Sequence, residues 1–338
     1  MSPYFATSPD GLVDTGVAGF ARAHADLVRH TPEPGYLTAV APAAGRRVGL
    51  VSGGGSGHEP MHGGFVGAGL LDAACPGRIF ASPHNRQVFE ASRAVAKSDG
   101  VLHVVKNYTG DRINFGIAAE RLAHEGIRCA RVLVDDDLAT ESEEIAVGRR
   151  GTGATPIVEK LLGAAADRGR SLDELVELGE RVVARSRTLS VTSAAHHAPG
   201  TGEAAFQLPA GSVEYGIGIH GERSGDVREA GADELVAEMT GALLDALGLG
   251  SGSRVIALVN GLGATTQLEL YGLYDRFATE LAGRGVEISR DLVGSMVTAL
   301  DMHGFSLTVS EVDDELIELW DAPARTPAWT VRNEEGGR

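Results

Sequence analysis

The sequence predicts an α/β fold of two domains, each a sheet flanked by helices. Short apolar runs alternate with stretches in which apolar and charged residues recur every three or four positions, as in strands connected by helices. Near residue 186 this alternation gives way to a Ser/Thr/Ala/His/Gly-rich stretch and then resumes. At 338 residues the chain also exceeds the size at which one hydrophobic core usually stops growing. We therefore predict domains at 1–186 and 187–338.

In the first half, the order of elements predicts βα units around a mostly parallel sheet. The predicted strands are Arg47–Ser52, Arg78–Ala81, Val101–Lys106 and Ala130–Asp135. The predicted helices are Val88–Ala96, Ile113–Glu125, Thr155–Arg168 and Ser171–Arg185.

The second half repeats the alternation and predicts a second α/β domain. The predicted strands are Tyr215–His220, Arg254–Asn260 and Ser306–Val312, and the predicted helices are Asp233–Leu247 and Gln267–Ala282. Residues 333–338 are polar and Gly-rich, and we expect them to be frayed.

Composition and charge exclude several classes of function. A net charge of -16 opposes binding to a phosphate backbone, which relies on Lys and Arg, so no nucleic-acid partner is predicted. The two cysteines, Cys75 and Cys129, lack the paired spacing of a metal or redox motif and are interpreted as reduced packing residues. No segment has the apolar length of a membrane span and no signal peptide is recognisable, so we expect a cytoplasmic protein without a membrane partner.

A glycine-rich segment, Val51–Gly64, directly follows the first predicted strand. Its glycines would let a ligand approach the backbone, and a helix starting near Pro60 would offer N–H groups to an oxygen-rich ligand. The segment lacks the Gly-Lys-Ser/Thr ending of a phosphate-binding loop and the third glycine of a dinucleotide fingerprint. It therefore predicts a ligand loop that does not bind nucleotide.

The same segment contains a His-Glu-x-x-His string, from His58 to His62, which is also found in zinc proteases. That chemistry needs both imidazoles on one face of a continuous helix, and Pro60 opposes such a helix. We predict no metal site here. A histidine at the mouth of a glycine-rich loop is well placed to bond a substrate hydroxyl, and we favour that role for His58 over a capping or core role.

Two further segments carry candidate residues. Lys106 ends a predicted strand and Asp111 follows it, so both would lie at the sheet edge that carries the glycine-rich segment. Asp111 alone would fit a helix cap as well as a general base. His220 ends an apolar run and precedes Gly221, which suits a nucleophile, a base, a metal ligand or a buried structural histidine.

Together these segments resemble the dihydroxyacetone kinase K-subunit family over nearly the whole chain. The resemblance is carried, in order, by GVAGFARAHADLVR, GLVSGGGSGHEPMHGGFVGAG, LLDAACPGRIFASP, VVKNYTGDRINF, GRRGTGATPIVEKLLGAAA, GIGIHGE, VIALVNGLGATTQLELYGLYDR and LWDAPARTPAW.

The resemblance implies a homodimer that binds a short ketose, such as dihydroxyacetone, as a hemiaminal on His220. It also implies that the triose site is lined by a set of residues from the first half, namely Gly55, Ser56, Gly57, His58, Lys106 and Asp111. Asp111 and His58 would serve the hydroxyl that accepts phosphate. No cofactor is expected in this chain: a nucleotide-binding L subunit would supply the phosphoryl group, from ATP or from ADP recharged by a phosphotransferase protein.

The sequence departs from the family pattern beside the implied site. Ser82, Pro83, His84 and Asn85 replace a Ser-Pro-Thr-Pro stretch, and Arg223 replaces a proline. These changes leave a four-carbon ketose such as erythrulose as an alternative substrate. A non-catalytic ketose sensor is the other alternative, although the presence of Lys106, Asp111 and His58 favours a kinase, because a sensor needs capture but no base.

Overall fold

The computed structural model describes residues 4–6, 8–140 and 148–331, so the residues expected to fray, 333–338, lie outside the described part. The described residues form two compact units. The glycine-loop unit comprises 8–134, 155–181 and 318–331. The His220 unit comprises 4–6, 135–140, 148–154 and 182–317.

The two units are interleaved along the chain, whereas the sequence predicted one division, at residue 186. The hydrogen bonds of Asp136 show why the segment after residue 134 belongs with the later part. This buried carboxylate accepts bonds from the backbone N–H groups of Thr152, at 2.7 Å, and Ala154, at 2.9 Å, and from the hydroxyl of Thr188, at 2.5 Å. Such tertiary contacts do not appear in the apolar periodicity from which the boundary was predicted.

The glycine-loop unit contains a six-stranded mixed sheet. Its strands lie in the order β1 (Val28–Thr31), β2 (Tyr36–Ala39), β4 (Ala73–Ile79), β3 (Gly49–Ser56), β5 (Val101–Lys106) and β6 (Cys129–Val134). Its helices are α1 (Pro9–Ala23), α2 (Asn85–Val95), α3 (Thr109–His124), α4 (Thr155–Asp167) and α5 (Leu172–Ala184). The four strands β4, β3, β5 and β6 are parallel neighbours, which confirms the predicted βα organisation.

Two local predictions in this unit are wrong. The strand predicted at Arg78–Ala81 is the end of β4, which begins at Ala73; Pro76 and Gly77 inside the strand hid its pattern. Strand β3 continues through its three glycines to Ser56, and no α-helix begins near Pro60. Turns and one short 3-10 turn, Gly63–Phe65, follow instead.

The His220 unit contains a second six-stranded sheet. Its strands lie in the order β11 (Glu287–Gly294), β10 (Arg254–Gly261), β12 (His303–Glu311), β7 (Ser186–Ala194), β8 (Ser212–Tyr215) and β9 (Asp226–Glu229). Only β10 and β11 pair in parallel among these strands; the other neighbours are antiparallel. Helices α6 (Ala232–Leu247) and α7 (Gln267–Gly283) pack their apolar faces on the sheet, as Met239 and Phe277 show. Both units thus confirm the predicted α/β class.

The strand predicted at Tyr215–His220 is also wrong, since β8 ends at Tyr215. Gly216 and Gly221 have φ angles of 79° and 81°, in the left-handed region that turns the chain out of a strand. Ile217 and Ile219 are buried and alternate as in a strand, which explains the prediction. His220 therefore lies in a turn.

After β12 the chain forms α8 (Asp314–Asp321) and the short pair β13 (Ala324–Arg325) and β14 (Thr330–Val331).

Candidate functional site

The carboxyl ends of β3 and β5 carry six of the seven candidate residues. These strands are parallel neighbours, with Ser52 paired to Val104, so their ends meet at one edge of the sheet, as predicted. Asp111 lies in the first turn of α3, and both Asp111 and Lys106 are buried. The Lys106 Nζ atom lies 3.8 Å from Asp111 Oδ2. The structure therefore brings the predicted ammonium and carboxylate together.

The glycines of β3 make room for protein atoms. A Cβ atom on Gly54 would lie 2.2 Å from Lys106 Nζ, and one on Gly55 would lie 2.7 Å from the backbone of Phe80 and Ala81. A side chain at either position would displace the residues that form the site.

Three candidate residues after Gly55 are held by local contacts. Ser56 Oγ donates to the backbone oxygen of Gly77 at 2.7 Å, and the N–H of Gly57, whose φ is 102°, donates to Glu59 at 2.9 Å. The imidazole of His58 is fully buried and stacks on Phe80, with ring centroids 5.1 Å apart. The positions of His58 and Ser56 are thus fixed by the end of β3, by β4 and by the turn that follows β4.

His62 and Glu159 form a buried network with Lys106 that was not predicted. His62 Nε2 lies 3.1 Å from Lys106 Nζ, and His62 Nδ1 lies 2.5 Å from Glu159 Oε1. Burial, and then the charge of Lys106, hold the pKa of His62 well below its usual value. Burial raises the pKa of Glu159 to about 8, and the charge of Lys106 opposes this rise. A glutamate within the apolar run of α4 was the signal available in the sequence.

His220 belongs to the other unit, where its ring contacts Glu222, and Glu222 in turn contacts Arg150. Its Nδ1 lies 2.9 Å from Glu222 Oε1, and its backbone N–H donates to Oε2 at 2.9 Å. Arg150 lies 3.5 Å from the same carboxylate and 2.7 Å from Asp137. Burial alone would raise the pKa of Glu222, but the hydrogen bond from His220 and the charge of Arg150 lower it below its ordinary value.

The Glu222 carboxylate selects the tautomer of His220. An ionised carboxylate only accepts hydrogen bonds, so Nδ1 carries the proton and the lone pair of the neutral ring lies on Nε2. His196 packs against the same turn, because a Cβ atom on Gly221 would lie 2.9 Å from its ring. Glu222 was missed in the sequence, although it stands two residues after His220 in the same motif.

The residues that depart from the family pattern have structural roles. His84 is the N-cap of α2: its ring accepts from the N–H of Arg86 at 3.1 Å, and the side chain of Gln87 completes the capping box. Arg223 bonds the buried carboxylate of Glu214 at 2.7 Å.

The described residues contain no group of three or more His, Cys, Asp or Glu side chains arranged to hold a metal ion. The turns at 58–62 also leave His58 and His62 without the shared helix of a zinc protease. In the same part of the chain, every helix is too short or too polar to cross a membrane.

Comparisons with known proteins agree with one another. The Dak1 domain model matches residues 18–328. The chain is 44% identical to the Escherichia coli (strain K12) protein named PEP-dependent dihydroxyacetone kinase, dihydroxyacetone-binding subunit DhaK, over 94% of this chain and 96% of that protein. It resembles the structure of the dihydroxyacetone kinase from C. freundii in complex with AMP-PNP and Mg2+, with a TM-score of 0.90 and 32% identity, over 98% of this chain and 61% of that chain. It also resembles a dihydroxyacetone kinase operon co-activator, with a TM-score of 0.90 and 31% identity, over 95% of this chain and 99% of that chain.

Proposed function

Because the chain belongs to the Dak1 domain family, we propose that it is the dihydroxyacetone-binding subunit of a kinase that phosphorylates a small ketose. The relative from Escherichia coli carries that name and is covered over 96% of its length. Within the structure, the observation that carries the proposal is the hydrogen bond between His220 and Glu222, at 2.9 Å, because it gives the ring a nucleophilic Nε2.

Covalent capture follows from that tautomer. The Nε2 lone pair of His220 forms a bond to the carbonyl carbon, and the carbonyl π electrons move to oxygen, which takes up a proton. The Nδ1 proton leaves the ring by way of the Glu222 carboxylate to solvent, and solvent supplies the proton that the oxygen takes up, so that the bound species is a neutral hemiaminal with the combined mass of protein and ketose. A polyol such as glycerol offers no carbonyl to attack, and capture therefore selects ketoses over molecules that share their hydroxyl groups.

Phosphoryl transfer depends mainly on alignment and on stabilisation of charge. A tethered ketose has its terminal hydroxyl already positioned, and the carboxylate of Asp111 accepts the departing proton. Lys106, 3.8 Å from that carboxylate, and His58 would bond the hydroxyl groups of the substrate, beside Gly55, Ser56 and Gly57.

The phosphoryl donor belongs to a separate L subunit in this proposal. The similar kinase from C. freundii is a longer chain, of which this protein matches 61%, and its structure contains AMP-PNP and Mg2+. The donor is ATP or ADP recharged by a phosphotransferase protein, and the relative from Escherichia coli is described as PEP-dependent.

A cytoplasmic homodimer completes the proposal, and sedimentation of the purified protein tests its dimeric state.

A ketose-sensing regulator is the second candidate, supported by the 31% identity to an operon co-activator. The two functions differ in product. We would mix the chain with an L subunit, dihydroxyacetone or erythrulose, and either ATP or a phosphoenolpyruvate-driven phosphotransferase system, and detect the sugar phosphate by mass spectrometry. A kinase subunit yields the phosphate, and Asp111→Asn abolishes it. Capture of the ketose without formation of the sugar phosphate, with ATP and with the phosphotransferase system alike, would favour the sensor.

A further inference from the structure

A buried chain of polar groups lies behind Gly54, at the edge of the site. Glu159 on α4, His62 in the turn after β3, and Lys106 at the end of β5 are each at most 5% exposed. The distances are 2.5 Å from Glu159 Oε1 to His62 Nδ1 and 3.1 Å from His62 Nε2 to Lys106 Nζ. A Cβ atom at position 54 would lie 3.3 Å from His62 Nε2 and 2.2 Å from Lys106 Nζ, so a side chain there would displace the lysine head group.

The donor and the acceptor of each hydrogen bond among Glu159, His62 and Lys106 can be assigned. A lysine ammonium only donates, so the Nε2 atom facing it must accept, and the ring proton must lie on Nδ1. The groups around Nδ1 agree with this assignment. Ser52 Oγ, 3.0 Å away, gives its own proton to the backbone oxygen of Val104 at 2.8 Å, and it therefore presents a lone pair to Nδ1. Glu159 Oε1 accepts in either protonation state of that carboxyl group.

The charges on each side of His62 also favour a neutral ring. Lys106 faces it from β5, Asp111 lies beyond Lys106 on α3, and Glu159 faces it from α4. Burial, followed by the positive charge of Lys106, lowers the pKa of His62 well below its usual value, and Asp111 opposes this only in part. A neutral ring gives the buried ammonium an acceptor without adding a second positive charge.

We propose that Glu159 and His62 are positioning residues for Lys106: Glu159 fixes the Nδ1–H tautomer of His62, and His62 Nε2 holds the Lys106 ammonium beside Asp111. This rests on the proposed function, in which Lys106 contacts the ketose. The arrangement is the one by which carboxylates orient metal-bound histidines, with an ammonium in the place of the metal ion. Neither residue contacts the substrate in this account.

Two variants of Glu159 separate the positioning role from a packing role. Glu159→Gln keeps the side-chain shape and a carbonyl oxygen for Nδ1–H, so the tautomer and the KM for dihydroxyacetone remain those of the parent protein. Glu159→Leu fills a similar volume but removes the nearer acceptor and leaves Ser52 Oγ, 3.0 Å from Nδ1, as the acceptor for Nδ1–H. The Nε2–H tautomer, which opposes the ammonium, then becomes more populated. We expect the KM for dihydroxyacetone to rise ~10–100-fold in Glu159→Leu, the range typical of lost orienting partners.

Nitrogen-15 NMR of histidine-labelled protein tests the tautomer directly, with the His62 signals assigned by their loss in His62→Gln. We expect Nδ1–H in the parent protein and in Glu159→Gln. An Nε2–H tautomer or a doubly protonated ring in the parent protein would overturn the proposal, even if Glu159→Leu fails to fold. A parent-like KM in folded Glu159→Leu would overturn it as well. Failure of the parent protein itself to bind dihydroxyacetone would refute the proposed function. The tautomer measurement would still decide whether Glu159 and His62 position Lys106.

Discussion

Replacing Glu222 with leucine should weaken covalent capture on His220, because the ring then loses the acceptor that fixes its Nδ1–H tautomer. The bond at stake joins His220 Nδ1 to Glu222 Oε1 at 2.9 Å. A hydrogen bond to a charged group contributes about 1.5–3 kcal/mol, and the lower end applies because 38% of the Glu222 side chain is exposed. About 1.5 kcal/mol corresponds to a roughly tenfold loss in the equilibrium constant for adduct formation.

The assay is a titration of dihydroxyacetone against the intact protein, with the adduct fraction measured by native mass spectrometry at each concentration. Glu222→Gln is the matched control, because its amide oxygen can still accept from Nδ1–H, and we expect a smaller loss than in Glu222→Leu. Equal adduct formation in the parent protein and Glu222→Leu, with both folded, would refute the claim that this carboxylate prepares the nucleophile.

Three further outcomes are expected. Asp111→Asn should retain the ketose adduct and lose turnover, and an Asn variant with normal turnover in a coupled assay would rule out the general-base role. Gly54→Ala should lower turnover at least about tenfold, because the added Cβ would lie 2.2 Å from Lys106 Nζ. Gly116→Ala is the control, because an added Cβ there would have no atom within 4 Å, and turnover should be unchanged. In urea unfolding, Gly116→Ala should stabilise the protein by up to about 1 kcal/mol through α3. Burial raises the pKa of Glu159 from its ordinary value of 4.5 to about 8. The folded protein therefore binds this proton more tightly than the unfolded chain does. The stability that results is complete below about pH 4.5 and is lost as the pH rises through about 8. The urea midpoint should therefore fall less between about pH 5 and 8 in Glu159→Gln than in the parent protein, and identical pH profiles would count against a buried, titrating Glu159.

The sequence predicted the part of the site that depends on sheet topology. Lys106 and Asp111 follow one strand and the glycine-rich segment follows another, and the ends of parallel neighbours meet at one edge, so their proximity could be predicted without coordinates. The family resemblance drawn from the motifs was confirmed by the Dak1 domain match.

The parts that were missed depend on contacts between residues distant in sequence. Glu159 is 97 residues from His62, and nothing in the periodicity of α4 indicates which polar group it meets. The glycines of β3 were interpreted as a loop, since an extended strand without side chains has no apolar alternation to detect. The interleaved units were missed for the same reason, because Asp136 is bonded to Thr188 across 52 residues.

Covalent capture of a ketose on His220 is the step on which the proposed function depends, and native mass spectrometry of the intact protein detects it. The parent protein and His220→Ala would each be incubated with dihydroxyacetone, erythrulose or glycerol. We expect an increment of one whole ketose on the parent protein alone, none with glycerol, and a larger adduct fraction for the preferred ketose. A parent protein that gains no mass with either ketose, or a His220→Ala variant that gains the same mass, would contradict it.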